Sequence, residues 1–198
     1  MNTGLAVLTW PVHTGRLTLR PATAGDADAT WPFRCREDVS RWLTRASATL
    51  DEHRTWFAAP DNLDKTLVVE REGAVIGDVM LKIEDAWAQA EIAERARGMQ
   101  AELGWVLHPE HAGHGYATEA VRELLRLCFE DLGTHRVTAT CFAANKASWR
   151  LMERVGMRRE FYTVRDSLHR SGEWLDCVGY ALLADEWKRF GAPCDRAS

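Results

Sequence analysis

One stretch of this chain gathers residue types that can hold an anion: His108-Pro109-Glu110-His111-Ala112-Gly113-His114-Gly115-Tyr116-Ala117-Thr118-Glu119-Ala120. It follows a strand-like run, Glu102 to Leu107, and opens an amphipathic helix. Gly113, Gly115 and Ala117 are small, so backbone N–H groups can converge outward where the helix begins. The first N–H groups of a helix have no internal partners and carry partial positive charge. The stretch therefore reads as a cradle for a phosphate or pyrophosphate.

Three kinds of phosphate loop compete for it. A Walker loop needs Lys and then Ser or Thr after its second Gly, whereas Gly115 is followed by Tyr116 and Ala117. A dinucleotide loop needs a third Gly or Ala where Thr118 stands, and it follows its strand directly. An acyl-coenzyme A loop, R/Q-x-x-G-x-G/A between strand and helix, fits at Gly115 and Ala117. Its first position falls on Ala112, so the backbone part is intact and one polar side chain is missing. His108, His111 and His114 recur every third residue and invite a metal. A loop broken by Pro109 does not aim three rings at one point, so exposed loop histidines are expected and no metal site.

The elements that must position this loop follow from periodicity. Arg16 to Arg20 alternates as a first strand, and short helices follow up to Ala59 with Trp31, Phe33, Trp42, Leu43, Trp56 and Phe57 on their buried faces. Thr66 to Glu70 and Ala74 to Ile83, divided by Glu72-Gly73, form a hairpin. Asp85 to Gln100 is a charged insertion, either a short helix or a flap. Ala117, Ala120, Val121, Leu124, Leu125, Cys128 and Leu132 recur at helical spacing, ended by Gly133. Arg136 to Phe142 is a strand, Asn145 to Val155 a helix stopped by Gly156, and Met157 to Ser167 with Trp174 to Leu182 a final strand pair. Alternating strands and helices of this kind give an α/β domain around a mixed sheet.

Composition sets the bounds. The 198 residues suit one well-buried domain, 1–198 with a core of about 14–187. With 46% hydrophobic and 27% charged residues the chain folds into a globule, and a net charge of −4 disfavours nucleic acid. Cysteines 35, 128, 141, 177 and 194 form no CxxC pair and read as reduced packing residues. No leader or membrane span stands out, which points to the cytoplasm.

Several segments together resemble the GNAT superfamily of N-acetyltransferases, in the branch of the RimJ/RimL ribosomal-protein N-terminal acetyltransferases. They are Thr14-Gly15-Arg16-Leu17-Thr18-Leu19-Arg20-Pro21, Glu102 to Leu107, Gly113 to Ala120, and Asn145-Lys146-Ala147-Ser148-Trp149-Arg150-Leu151-Met152-Glu153-Arg154-Val155-Gly156-Met157. The resemblance implies a sheet of six or seven strands with one splayed pair, flanked by helices. Acetyl-CoA would lie in the splay and an amine would attack its thioester directly. Implied coenzyme contacts are Trp105, Val106 and Leu107 on the strand, Gly113, His114, Gly115, Tyr116, Ala117 and Thr118 in the loop, and Asn145 on the next helix. A strand N–H near Trp105 or Val106 would meet the developing oxyanion.

Glu102 is the candidate base, acting directly or through water, against the plainer role of a solvent-facing strand residue. Ser148 would hydrogen-bond the leaving thiolate, and Asn145 would bond the pantetheine arm while capping its own helix. Arg150 and Arg154 read as a solvated helix face. The acceptor is a protein N-terminus or a small amine, with Glu91 and Glu94 of the insertion pointing to a cationic one. A catalytically silent acyl-CoA-binding protein is the alternative, raised by the missing side chain at Ala112. A homodimer is left open.

Overall fold

The computed structural model describes residues 4–191. Its strands are β1 (Val12–His13), β2 (Thr18–Pro21), β3 (Thr66–Arg71), β4 (Ala74–Glu84), β5 (Gln100–Leu107), β6 (Arg136–Phe142), β7 (Arg158–Leu168) and β8 (Trp174–Leu183). They form one sheet in the order β1-β2-β3-β4-β5-β6-β8-β7, antiparallel throughout except where β5 runs parallel to β6. The helices are α1 (Gly4–Val7), α2 (Ala27–Arg34), α3 (Glu37–Ser40), α4 (Leu50–Phe57), α5 (Pro60–Leu63), α6 (Tyr116–Arg126), α7 (Lys146–Arg154) and α8 (Ala184–Gly191).

The sheet has eight strands rather than six or seven because Val12 and His13 add an edge to β2. Two residues leave no periodicity to read. The first expected strand also begins later: Thr14 to Leu17 is a turn, closed by Thr14 N–H to the Leu17 carbonyl at 2.9 Å, so Arg16 leaves the ladder. The hairpin of β3 and β4 turns where expected, with Glu72 and Gly73 both at positive φ (52° and 82°). The insertion after β4 holds a 3₁₀ run, Ala90–Ala96, whose base is tied by Gly98 N–H to Asp85. α6 passes into a π-helical turn, Leu127–Asp131, before Gly133 ends it at φ 67°.

Helix burial divides the core. β3 sends Leu67 and Val69 to one side and Val68 to the other, all three fully buried. On the first side they meet Ala120, Val121, Leu124 and Leu125 of α6, and Leu151 and Met152 of α7. On the second, Val68 meets Ala27 of α2 and Phe57 of α4. The second face behaves differently across β5 to β7, where Thr140 and Phe161 are exposed.

Polar groups anchor α2 and α4 to the sheet. Arg34 grips Asp78 of β4 with two bonds, 2.7 and 2.5 Å, and its guanidinium lies 5.1 Å from the Trp56 ring centre. Breaking such a buried pair costs about 3–5 kcal/mol, since one charge is then left alone. Beside it, buried His53 bonds the Thr30 hydroxyl through Nε2 at 2.9 Å. Neither pair has a local signature in the sequence. Cys35 is exposed while Cys128 and Cys177 are buried, and burial pushes the Cys128 thiol up to about 12; Cys194 lies outside the described residues.

Burial, and then the Arg34 charge, holds the His53 imidazole below its ordinary 6.5. The folded chain therefore binds fewer protons there than the unfolded chain. Stability should fall as pH drops through 6.5 and level off below the folded value. Urea midpoints from pH 8 to pH 5 should show this slope, and His53→Gln should flatten it. An equal slope in the variant would assign the effect to other groups.

Candidate functional site

The site grows from one interrupted ladder. β5 and β6 pair only at Gln100–Arg136, Ala101–Val137 and Glu102–Thr138. Beyond Glu102 the strands diverge, although β5 stays on β4 to Leu107 and β6 stays on β8 to Phe142. The result is a notch with its vertex at Glu102 and its mouth at the carboxyl ends of both strands.

Backbone alternation decides which groups face the notch. His108 N–H bonds the Ile76 carbonyl on the β4 side at 2.8 Å. In an antiparallel pair every second residue bonds the partner. Val106, Gly104 and Glu102 therefore bond β4, and Leu107, Trp105 and Leu103 turn their N–H and C=O groups into the notch. Thr138 agrees with this, donating its hydroxyl to the Ala101 carbonyl at 3.2 Å. Of the two expected oxyanion donors, the Trp105 N–H faces the gap and the Val106 N–H faces β4. The side chains of Trp105 and Leu107 pack half-buried on the main core.

The glycine loop closes one side of the mouth. Gly113 and Gly115 take φ of 81° and 80°, conformations that L side chains rarely adopt. The six N–H groups from Gly113 to Thr118 donate to no partner among the described residues; Glu119 N–H is the first to bond, to the Gly115 carbonyl at 3.0 Å. A Cβ at Gly113 would meet nothing within 4 Å. Six free donors on an open concave backbone fit an anion such as a pyrophosphate. Ala112, Gly113, His114 and Gly115 are exposed, Ala117 and Thr118 half-buried, and Tyr116 is buried in the core.

On the other side of the mouth stands α7. Asn145 caps it, its Oδ1 accepting Ser148 N–H at 3.3 Å, which leaves the side-chain amide free to donate. Ser148 lies against the Cys141 thiol, which burial pushes up to about 11 despite that contact. Trp149 donates its indole N–H to the Ala143 carbonyl, a structural role, and Arg150 lies over its ring. Glu102 is half-buried, opposite Lys82 in the ladder; Lys82 itself pairs with Glu84.

The three histidine rings pack on aromatic neighbours and on one another, His108 edging His111 at 5.8 Å between ring centres. His108 accepts Glu110 N–H and edges Phe33, His111 edges Tyr116, and His114 stacks on Tyr116. No cluster of three or more His, Cys, Asp or Glu able to hold a metal occurs among the described residues. In the insertion, Glu94 pairs with Arg97 at 2.8 Å.

One contact beside the loop has no assigned role in the sequence. Arg16, from the turn before β2, donates Nε to Glu119 Oε2 at 2.7 Å and Nη1 to the His114 carbonyl at 3.0 Å. Its backbone N–H and the Thr14 hydroxyl bond Glu119 Oε1 at 2.8 and 2.6 Å. Burial raises the Glu119 carboxyl, and these bonds outweigh it, leaving the group below its ordinary 4.5. The pairing spans about half the chain, so only its residues, not their meeting, stand in the sequence.

The profile of the Acetyltransferase (GNAT) domain matches residues 16–158. N-acetyltransferase YnaD of Bacillus subtilis is 28% identical over 179 residues, 89% of this chain and 98% of the relative. The [Ribosomal protein uS5]-alanine N-acetyltransferase of Escherichia coli is 32% identical over 85 residues, 43% of each chain. The crystal structure of a GNAT-family acetyltransferase from Bacillus anthracis superposes with TM-score 0.75 at 28% identity, covering 89% of this chain and 99% of that one. With a notch between parallel strands, a glycine loop of free N–H groups at its mouth and a match across most of its length, this chain belongs to the GNAT family of N-acetyltransferases, with ribosomal-protein acetyltransferases among its relatives.

Proposed function

We propose that this N-acetyltransferase moves an acetyl group from acetyl-CoA to a primary amine by direct attack. The observation that carries this is the notch between β5 and β6 with free backbone donors at its mouth. Leu103, Trp105 and Leu107 offer the N–H and C=O groups that an added strand would take, which suits the amides of a pantetheine arm. The Asn145 amide adds a donor at the mouth. From Leu107 back to Glu102, five residue steps at about 3.3 Å span roughly 16 Å, the length the arm must cross.

At the vertex, Glu102 takes the proton of the amine, directly or through one water. The Trp105 N–H meets the negative charge that grows on the carbonyl oxygen. Ser148 donates its hydroxyl to the departing thiolate. Holding both reactants along one notch supplies much of the rate by removing their freedom to miss.

Between a small amine and a protein N-terminus, we favour the N-terminus. The sheet face bearing Thr140 and Phe161 leaves both side chains exposed, which suits an acceptor approaching from that side. One relative is named for acetylating an alanine of a ribosomal protein. Thiol release should be seen with peptides carrying a free N-terminus, and not with the same peptides N-acetylated. Turnover of polyamines alone would move the acceptor to small molecules.

Acetyl-CoA at about a hundred times its dissociation constant should stabilise the fold by roughly 2.7 kcal/mol, a clear shift in melting temperature. Gly115→Glu should abolish that shift, because it forces a side chain into positive φ and sets a carboxylate where phosphate oxygens must approach. A full shift in this variant would make the loop structural.

Glu102→Gln should lower turnover by about 10²- to 10⁴-fold near neutral pH while coenzyme affinity stays. Raising the pH past the amine's own pKa, about 8 for an α-amino group, should restore part of it, since the free amine then forms unaided. Ser148→Ala should respond less, because its defect concerns the leaving thiolate. A pH–rate profile of Glu102→Gln that matches the wild type would remove Glu102 from the chemistry.

A further inference from the structure

The anion loop lacks a polar side chain of its own at Ala112, and a guanidinium reaches it from 98 residues upstream. Arg16 does three things there. It takes the His114 carbonyl at 3.0 Å, so that this oxygen is bound on the side of β2 rather than free to turn toward an anion. It neutralises Glu119, a carboxylate with 18% exposure in the first turn of α6, where an uncompensated negative charge would repel a phosphate. Its guanidinium also lies 4.6 Å from the centre of the Tyr116 ring, on the first residue of the same helix, and comes within 3.5 Å of where a Cβ on Gly115 would stand.

Thr14 fixes the same carboxylate from the other end of the turn, at 2.6 Å. Arg16 is itself half exposed, so it is not a buried packing residue. A fork that binds a carboxylate and a carbonyl together needs the planar geometry of arginine.

We infer that Arg16 is the positioning residue of the coenzyme loop: through Glu119 and the His114 carbonyl it sets the loop for the pyrophosphate and compensates the negative charge in the first turn of α6. This rests on the acetyl-CoA reading of the loop. It makes the turn before β2 a determinant of coenzyme affinity and not only a strand entrance. It also explains how the loop functions with alanine at position 112.

The test compares coenzyme A with pantetheine, which lacks the phosphates, by calorimetry and melting shift on the full chain. Arg16→Ala should weaken coenzyme A about tenfold, the scale of a lost charged hydrogen bond, while the shift given by pantetheine stays as in the wild type. Arg16→Ala with Glu119→Gln should recover part of the loss, because the uncompensated charge is gone. If Arg16→Ala weakens both ligands alike, or neither, the inference is overturned. If Arg16→Ala does not fold, Arg16→Lys carries the test, since it keeps the charge and loses the fork. Weaker coenzyme A with unchanged pantetheine supports the inference, and wild-type affinity for coenzyme A overturns it. A wild-type chain that binds no coenzyme A would instead remove the acetyl-CoA reading.

Discussion

The whole arrangement depends on a ladder that stops after three rungs. β5 is held along its length by β4, and β6 along its length by β8. Each half of the sheet is therefore continuous and keeps its own twist. The parallel contact between them is the weaker kind and is lost first. Unpaired backbone groups cannot be left dry without cost, so a notch of this kind favours a ligand that pairs as a strand does. The crossover that joins parallel strands then fixes the rest. It places the first turn of α6 at the carboxyl end of β5, and the chain after β6 places the first turn of α7 beside it. The free N–H groups and the capping Asn145 meet at one mouth for this topological reason.

Guanidinium–carboxylate pairs fasten the pieces around the notch. Arg20 holds Asp26 with two bonds of 2.8 Å and Glu70 with one of 2.9 Å, joining β2, β3 and the entrance to α2. Arg34 joins α2 to Asp78 of β4, and Arg16 joins the turn before β2 to α6. The Arg16–Glu119, Arg20–Glu70 and Arg34–Asp78 pairs link segments far apart in the chain, and Arg20 on Asp26 and Arg34 on Asp78 use the two-pronged geometry that lysine lacks. The helical cover of β3 and β4 is thus held firmly. The face across β5 to β7 keeps exposed groups such as Thr140 and Phe161.

The Glu102 carboxylate and the free N–H groups of the loop are separated along the notch. Glu102 lies at the vertex, and the loop donors lie at the mouth, a strand's length away. A carboxylate at the mouth would oppose an anion, and the charge of Glu119 is compensated by Arg16 while the Thr14 hydroxyl hydrogen-bonds it. One carboxylate thus stands at the vertex of the notch, and the one beside the free loop donors is held by a guanidinium.

Local signals settled much of this by themselves. The spacing of Gly113, Gly115 and Ala117 ahead of a helical stripe marked the loop, because positive φ and close-set N–H groups need small residues. Glu72-Gly73 marked the hairpin, and Asn145 before Ser148 marked the start of α7, because turns and caps are written within a few residues. The family followed from those pieces in order. The extent of the splay, the turn of the Trp105 N–H into the notch, the two-residue strand β1 and the meetings of Arg16 with Glu119 and Arg34 with Asp78 were decided only in three dimensions. Each depends on register between strands or on contacts between distant segments, and neither leaves a period or a composition in the chain. His53 shows the same limit: nothing around it in sequence marks it as buried, and only the packing of α2 on α4 takes water from it.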